Sequence, residues 1–217
     1  MSARRELLVL NPNTSQAVTR LLCAHVQEEL GPGVLVRGAT ATFGAPYIAD
    51  EASYAVAGHA VLDAWQAQPR THAVLIGCFG DPGLFALREL CPVPVAGLAE
   101  ASFAEAALHG RFAIVTGGAR WEPMLRRLAL ALGFGDRLAG IHTVAPTGAQ
   151  LAADPQGARA LLAQACENAV NRFDADAVVV GGAALAGIAG DLQRASPVPL
   201  VDSVRAGARH LRAALQP

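Results

Sequence analysis

The chain has 217 residues, 53% of them hydrophobic and 16% charged, with a formal net charge of −1. That is enough to bury the core of one large domain or two small lobes, and a near-neutral balance without a basic stripe excludes nucleic acid as the main partner. All 17 basic residues are arginine, which excludes pyridoxal phosphate enzymes that need a Schiff-base lysine and P-loop proteins that need a lysine on the phosphates.

In chain order, Glu6–Leu10 reads as a first strand ending in Asn11-Pro-Asn-Thr-Ser15. Asn13 with Gln16 resembles a capping box for a helix running toward Leu30, which Gly31-Pro32-Gly33 stops. Val34–Arg37 reads as a second strand, Phe43–Tyr47 as a Gly/Pro/Tyr loop and Glu51–Gln66 as a helix. The chain is organised around the next stretch, Ala73-Val-Leu-Ile-Gly-Cys-Phe-Gly-Asp-Pro-Gly-Leu84. Its apolar run without alternation predicts a parallel strand buried on both faces. Asp81-Pro82 reads as an N-cap with proline at the first helical position, so Cys78 is expected between a strand's carboxyl end and a helix start. Open α/β sheets bind ligands at such a place, and a helix N-terminus there would favour a thiolate. A helix to Leu90, a Pro92–Val95 strand and a Glu100–Leu108 helix complete this half.

The pattern then repeats. Phe112-Ala-Ile-Val-Thr116 matches Leu7–Asn11, Ala177–Gly182 matches Ala73–Cys78, and Pro197–Leu200 matches Pro92–Val95. The offsets are 105 from Asn11 to Thr116, 104 from Cys78 to Gly182, and 105 from Pro92 to Pro197. One order at one offset predicts an α/β fold of two pseudo-symmetric flavodoxin-like lobes with parallel sheets, and an active cleft between them. The expected division is 1–97 for the first lobe, with 203–217 packing back on it, and 98–202 for the second. The counterpart of Cys78 in the second lobe is Gly182, so a reactive side chain stands on one side only.

At these residues the chain resembles the aspartate/glutamate/hydantoin racemase superfamily, and within it the hydantoin and allantoin racemase branch. The resemblance is carried by Asn11–Ser15, Gly77–Leu84, Pro94–Ala101, Phe112–Arg120 and Pro199–Asp202, spread over almost the whole chain. It implies cofactor-independent proton transfer at an acidic carbon, with one cysteine on each face of the substrate. The first cysteine carries over to Cys78. The second does not: members of this branch have Gly-Cys-Ala-Gly-Met-Ala-Gly where this chain has Gly181-Gly-Ala-Ala-Leu-Ala-Gly187. Arylmalonate decarboxylase resembles the same family and protonates one face with a single cysteine, though it keeps the other one. A one-sided decarboxylase or stereospecific protonating enzyme is therefore a rival to a racemase, and a degenerate protein that only binds a small metabolite is a third reading.

Cys78 is the expected acid/base. Asn11, Asn13 and the backbone at Phe79 and Gly80 are expected to hold substrate oxygens. Thr116, Gly117 and Gly118 would supply backbone N–H groups for an oxyanion, and Gly182 with Ala183 would open room for a larger substituent. Asp81, Glu100 and Asp202 are expected to support these groups, with Asp81 mainly an N-cap. His142 is the one histidine near a suggestive turn. A cysteine hydrolase fits poorly, because a nucleophile elbow wants small residues two before and two after and Ile76 breaks that pattern. The remaining cysteines, Cys23, Cys91 and Cys166, read as buried structural thiols without disulfides or a metal site. The expected substrate is a small carboxylate, amino acid or hydantoin-like molecule, with no cofactor and no membrane partner. A homo-oligomer and a cytoplasmic location complete the expectations, since neither a signal peptide nor a membrane-length apolar run is apparent.

Overall fold

Runs of apolar residues with no polar alternation become the central strands of two sheets. The structure is a computed structural model and describes residues 4–216. The first half contains β1 (Arg5–Asn11), α1 (Gln16–Leu30), β2 (Val34–Thr40), α2 (Glu51–Gln66), β3 (Ala73–Ile76), α3 (Leu84–Leu90), β4 (Val95–Gly97) and α4 (Leu98–Ala106). The second contains β5 (Phe112–Gly117), α5 (Trp121–Ala131), β6 (Leu138–Val144), α6 (Gly148–Ala153), α7 (Pro155–Phe173), β7 (Ala177–Gly181), α8 (Ile188–Leu192), β8 (Leu200–Asp202) and α9 (Ser203–His210).

Each half forms a four-stranded parallel sheet, in the orders β2-β1-β3-β4 and β6-β5-β7-β8. The fold is thus α/β, with two flavodoxin-like lobes. Pairing register reproduces the repeat found in the sequence. Leu7 pairs with Ala73 and Phe112 with Ala177; Val74 pairs with Val95 and Val178 with Leu200. Even the bonds leading into the sheets correspond, His72 N–H to Glu6 C=O and Asp176 N–H to Arg111 C=O. The end strands lie slightly later than read from sequence, Val95–Gly97 and Leu200–Asp202. Proline has no N–H for the ladder, so the Pro-Val-Pro segments lead into these strands rather than form them.

A helix pair joins the sheets. Helix α4, which follows the last strand of the first sheet, packs on β7 and β8 of the second, while α9 packs on α1, α4 and β4. One apolar core therefore runs through both halves, including Leu75, Leu98, Phe103, Phe112, Ile114, Val179 and Val204. Phe103 of α4 stacks on Phe112 of β5 with ring centroids 5.4 Å apart. Separate clusters cover the outer faces, Leu8, Leu10, Val61, Val74 and Leu87 on the first sheet and Val115, Leu162, Cys166, Val178 and Val180 on the second. Glu29, Glu105 and the arginines of α9 tie α1, α4 and α9 together, with Arg209 paired to Glu105 at 2.7 Å and to Glu29 at 3.2 Å. Among the described residues no helix is long and apolar enough to cross a membrane.

Two local expectations are corrected. The N-cap of α1 is Ser15, whose Oγ accepts from Val18 N–H, and Asn13 instead accepts the Ser15 N–H at 2.9 Å. Asp81 does not cap its own helix: α3 starts at Leu84 after Gly83, which is in the left-handed conformation and has no side-chain cap.

Candidate active site

Both sheets end their central strands at one cleft of about 460 Å³. Cys78 follows β3, lines that cleft and is 7% exposed. Its carbonyl accepts the N–H of Asp81 at 3.1 Å, which turns the chain sharply. Asp81 takes a positive φ of 55° and is 1% exposed. Its two carboxylate oxygens accept the N–H groups of Ala99 at 2.9 Å and Glu100 at 2.8 Å, so it caps α4.

This arrangement overturns the expectation of a thiolate stabilised by its own helix start. The start of α3 lies beyond the turn. Burial, and after it the charge of Asp81, push the Cys78 thiol well above the usual thiol range. Asp81 is itself pushed up to about 7, burial outweighing the backbone N–H groups that favour its charged form. The neighbouring Tyr54 phenol is pushed up to about 12 by burial and then by Asp81 and Cys78.

On the first-lobe wall, Asn13 lines the cleft and is 5% exposed. Its Oδ1 accepts from Asn11 Nδ2 at 2.9 Å and from Ser15 N–H at 2.9 Å, which leaves the amide nitrogen as the end that can donate into the cleft. Asn11 does not line the cleft. Its side chain is buried, donating to Asn13, to the Ser15 carbonyl and to Thr19 while accepting the Asn13 N–H, so it braces the loop behind the lining. Gly80 also lies behind the lining, its carbonyl accepting the Tyr54 hydroxyl at 2.8 Å. Phe79 does line the cleft, and its ring crosses to the other lobe, so close over Gly181 that a Cβ there would lie 2.2 Å from a ring carbon.

On the second-lobe wall, Thr116, Gly117 and Gly118 all border the cleft. One of the backbone N–H groups expected to hold an oxyanion is already engaged, and so is a neighbouring side chain. Gly118 N–H donates to Val144 C=O at 2.9 Å, and the Thr116 hydroxyl donates to Gly181 C=O at 2.8 Å. Gly182 and Ala183 line the wall across the cleft, the latter in a 3₁₀ turn over Ala183–Leu185. Gly182 has φ +148° and ψ 128°, a conformation side-chain-bearing residues rarely adopt. Its N–H donates to Ser203 Oγ at 3.3 Å. Asp202 caps α9 through Val204 and Arg205 N–H and also accepts Gly187 N–H; Glu100 pairs with Arg88. His142 sits on β6 opposite Val115 and is not in the lining.

Sequence reasoning missed Tyr47, Trp121 and Thr147 in the lining, and Tyr54 behind it. Trp121 meets Tyr54 edge-on, with centroids 6.4 Å apart. The available signal was adjacency: Trp121 directly follows the Phe112–Arg120 segment, and Tyr47 closes the loop before α2. Arg120 supplies the cleft's cationic side chain, mostly exposed and paired with Asp50 at 3.1 Å. Among the described lining residues, Cys78 is the sole member of the Cys, His, Asp and Glu set, and no three such residues cluster as metal ligands.

The family model described as Asp/Glu/Hydantoin racemase matches residues 7–211 of this chain. A hydantoin racemase from Paenarthrobacter aurescens is 31% identical over 207 residues, covering 94% of this chain and 88% of that protein. Among solved structures, an allantoin racemase from Pseudomonas fluorescens superposes with a TM-score of 0.92 at 26% identity, covering 96% of this chain and 89% of the other. A variant of arylmalonate decarboxylase superposes with a TM-score of 0.69 at 18% identity over 96% of this chain and 92% of the other, a likeness of fold alone.

Proposed function

The chain belongs to the Asp/Glu/hydantoin racemase family and is a racemase-type enzyme, and from that premise we propose that it moves a proton at a carbon next to a carbonyl, using the single thiol Cys78. The substrate is a small hydantoin-like molecule, amino acid or carboxylate. The observation that carries this reading is the lining of the cleft: one titratable thiol at the end of β3, across from the glycine wall that begins at Gly182.

Chemically, the Cys78 sulfur and the substrate carbon exchange one proton. When the C–H bond forms, the S–H bond breaks and the electron pair of the enolate becomes the new bond; the reverse step needs the thiolate. The Asn13 amide nitrogen is suited to bind the carbonyl oxygen that carries the enolate charge. No side chain stands at Gly182 to exchange a proton from that face. The reaction is therefore one-faced.

A second reading has a specific observation in its favour. Cys78 is buried, three residues from the buried Asp81 carboxylate, and both burial and that charge favour the protonated sulfur, which suits it to donation. A substrate that loses carbon dioxide generates its own enolate, which Cys78 then protonates, the resulting thiolate taking a proton from water.

Proton NMR in D₂O separates these readings, with single enantiomers of hydantoins and acidic amino acids and an arylmalonate. One-faced transfer puts deuterium into one enantiomer without forming its mirror image, and Cys78→Ala abolishes it. Equal deuteration of both enantiomers would overturn the one-faced mechanism. Carbon dioxide loss with one labelled product would establish the decarboxylase. No exchange with any of them by folded protein would overturn the proposal for these substrate classes.

A further inference from the structure

Asp81 occupies a place the internal repeat makes informative. Its side chain lies where a side chain on Gly97 would be: a Cβ on Gly97 would stand 2.0 Å from the Asp81 Cγ and 2.2 and 2.4 Å from its oxygens. Gly97 ends β4, and its counterpart at the end of β8 is Asp202. Asp202 caps α9 from that strand end, through Val204 and Arg205. Both inter-lobe helices are therefore capped by a carboxylate, but from different chain positions. In the second lobe the carboxylate belongs to the strand. In the first it reaches in from the loop carrying Cys78, and glycine at 97 leaves the space for it.

The difference has two physical consequences. The Cys78 loop is fastened to α4, the helix that packs on β7 and β8 of the other lobe. It also puts a carboxylate three residues from the sulfur, in a region where both groups are buried and charges are poorly screened. Asp81 holds its unusual backbone, φ 55°, within this loop.

We infer that Asp81 is a positioning residue: its carboxylate, accepting the N–H groups of Ala99 and Glu100, pins the Cys78 loop to the start of α4 and stays buried three residues from the sulfur. This rests on the reading of Cys78 as the proton-transfer group. Around the pair, Glu100 from α4 acts on Asp81 and is itself paired with Arg88 from α3, while Tyr54 from α2 feels the charges of Asp81 and Cys78, and Glu51 and Arg127 bear on Tyr54. Of these, Asp81 is the one whose charge acts directly on the sulfur. Protonating Asp81 makes the thiolate easier to form, and ionising it makes the thiolate harder to form.

The test is the pH profile of iodoacetamide alkylation, read at Cys78 by peptide mass spectrometry. In the wild-type chain the logarithm of the rate should rise with pH, flatten near pH 7 as Asp81 ionises, and rise again. Asp81→Asn should remove the flattening and speed alkylation at pH 8–9 by about ten-fold, the effect of lowering a thiol pKa by about one. A merely structural cap would leave the profile a single unbroken rise in both chains, and that result overturns the inference. So does a folded Asp81→Asn chain that keeps the wild-type profile. If Asp81→Asn does not fold, the wild-type profile decides alone. A flattened profile in a protein that exchanges no substrate proton would leave the coupling of Asp81 to Cys78 standing and remove the reaction it serves; exchange with an unbroken profile would remove the coupling and leave the reaction.

Discussion

Gly182 can be made to carry a side chain, and two substitutions there separate backbone strain from chemistry. At φ +148° and ψ 128° the residue lies where a Cβ is disfavoured, at a cost of about 1–3 kcal/mol for such a conformation. A Cβ would also sit 3.1 Å from Leu185 Cγ and 3.2 Å from its Cδ1, so Leu185 must give by a few tenths of an ångström. Gly182→Ala and Gly182→Cys should both lose about 1–3 kcal/mol in urea denaturation, with Tm falling by about 2–4 °C for each kcal/mol. Only the cysteine variant should then let deuterium enter from the second face, measured as appearance of the mirror-image product in D₂O. A Gly182→Ala chain as stable as wild type would refute the strain argument. Second-face exchange in the alanine variant equal to that of the cysteine variant would refute the claim that a missing thiol makes the site one-faced. A folded cysteine variant with no second-face exchange would refute the correspondence between Gly182 and Cys78.

Gly97→Ala should lower stability by about 3 kcal/mol or more, because its methyl group displaces the Asp81 carboxylate from two backbone N–H groups; a urea midpoint equal to wild type would contradict it. The Asp81 carboxyl binds its proton more tightly in the folded chain, at about 7, than at its ordinary value of 3.8. Its contribution to stability is therefore full below about pH 4 and is lost as pH rises to about 7. The unfolding free energy of wild type minus that of Asp81→Asn should decline across this window, and a flat difference would show that the carboxyl titrates normally. Tyr54→Phe should cost about 1 kcal/mol by removing the hydroxyl from the Gly80 carbonyl, while the edge contact to Trp121 keeps the cleft wall in place. Denaturation with an unchanged KM for any substrate found by exchange would check both parts.

The sulfur's proton affinity links these predictions to function. A racemase needs a thiolate to start from a carbon acid, whereas a protonating enzyme needs a thiol. The buried Asp81 charge favours the thiol. A bound substrate that excludes water and brings its own polar groups changes both burial and charge around Cys78, so the profile with ligand is the natural extension of the alkylation test.

What the sequence determined by itself was the repeated frame. Buried parallel strands are short apolar runs, and their junctions with glycine-rich loops recur at one offset, so two lobes and a shared cleft follow from local pattern alone. Cys78 was legible for the same reason: it ends a central strand, and its counterpart lacks a side chain. Asn13, Phe79, Thr116 to Gly118, Gly182 and Ala183 reach the cleft because they share those strand ends. The tertiary structure decided which of them has free hydrogen-bonding groups. Asn11 and Gly80 lie at the right junctions, yet neighbours twenty-six residues away or closer engage them. Gly118 gives its N–H to Val144. Asp81-Pro82 carries the local pattern of a helix start, but a carboxylate goes where backbone N–H groups are left unpaired, and those belong to α4, eighteen residues further on. Local pattern fixes where a strand ends; which donor meets which acceptor there depends on elements distant in the chain.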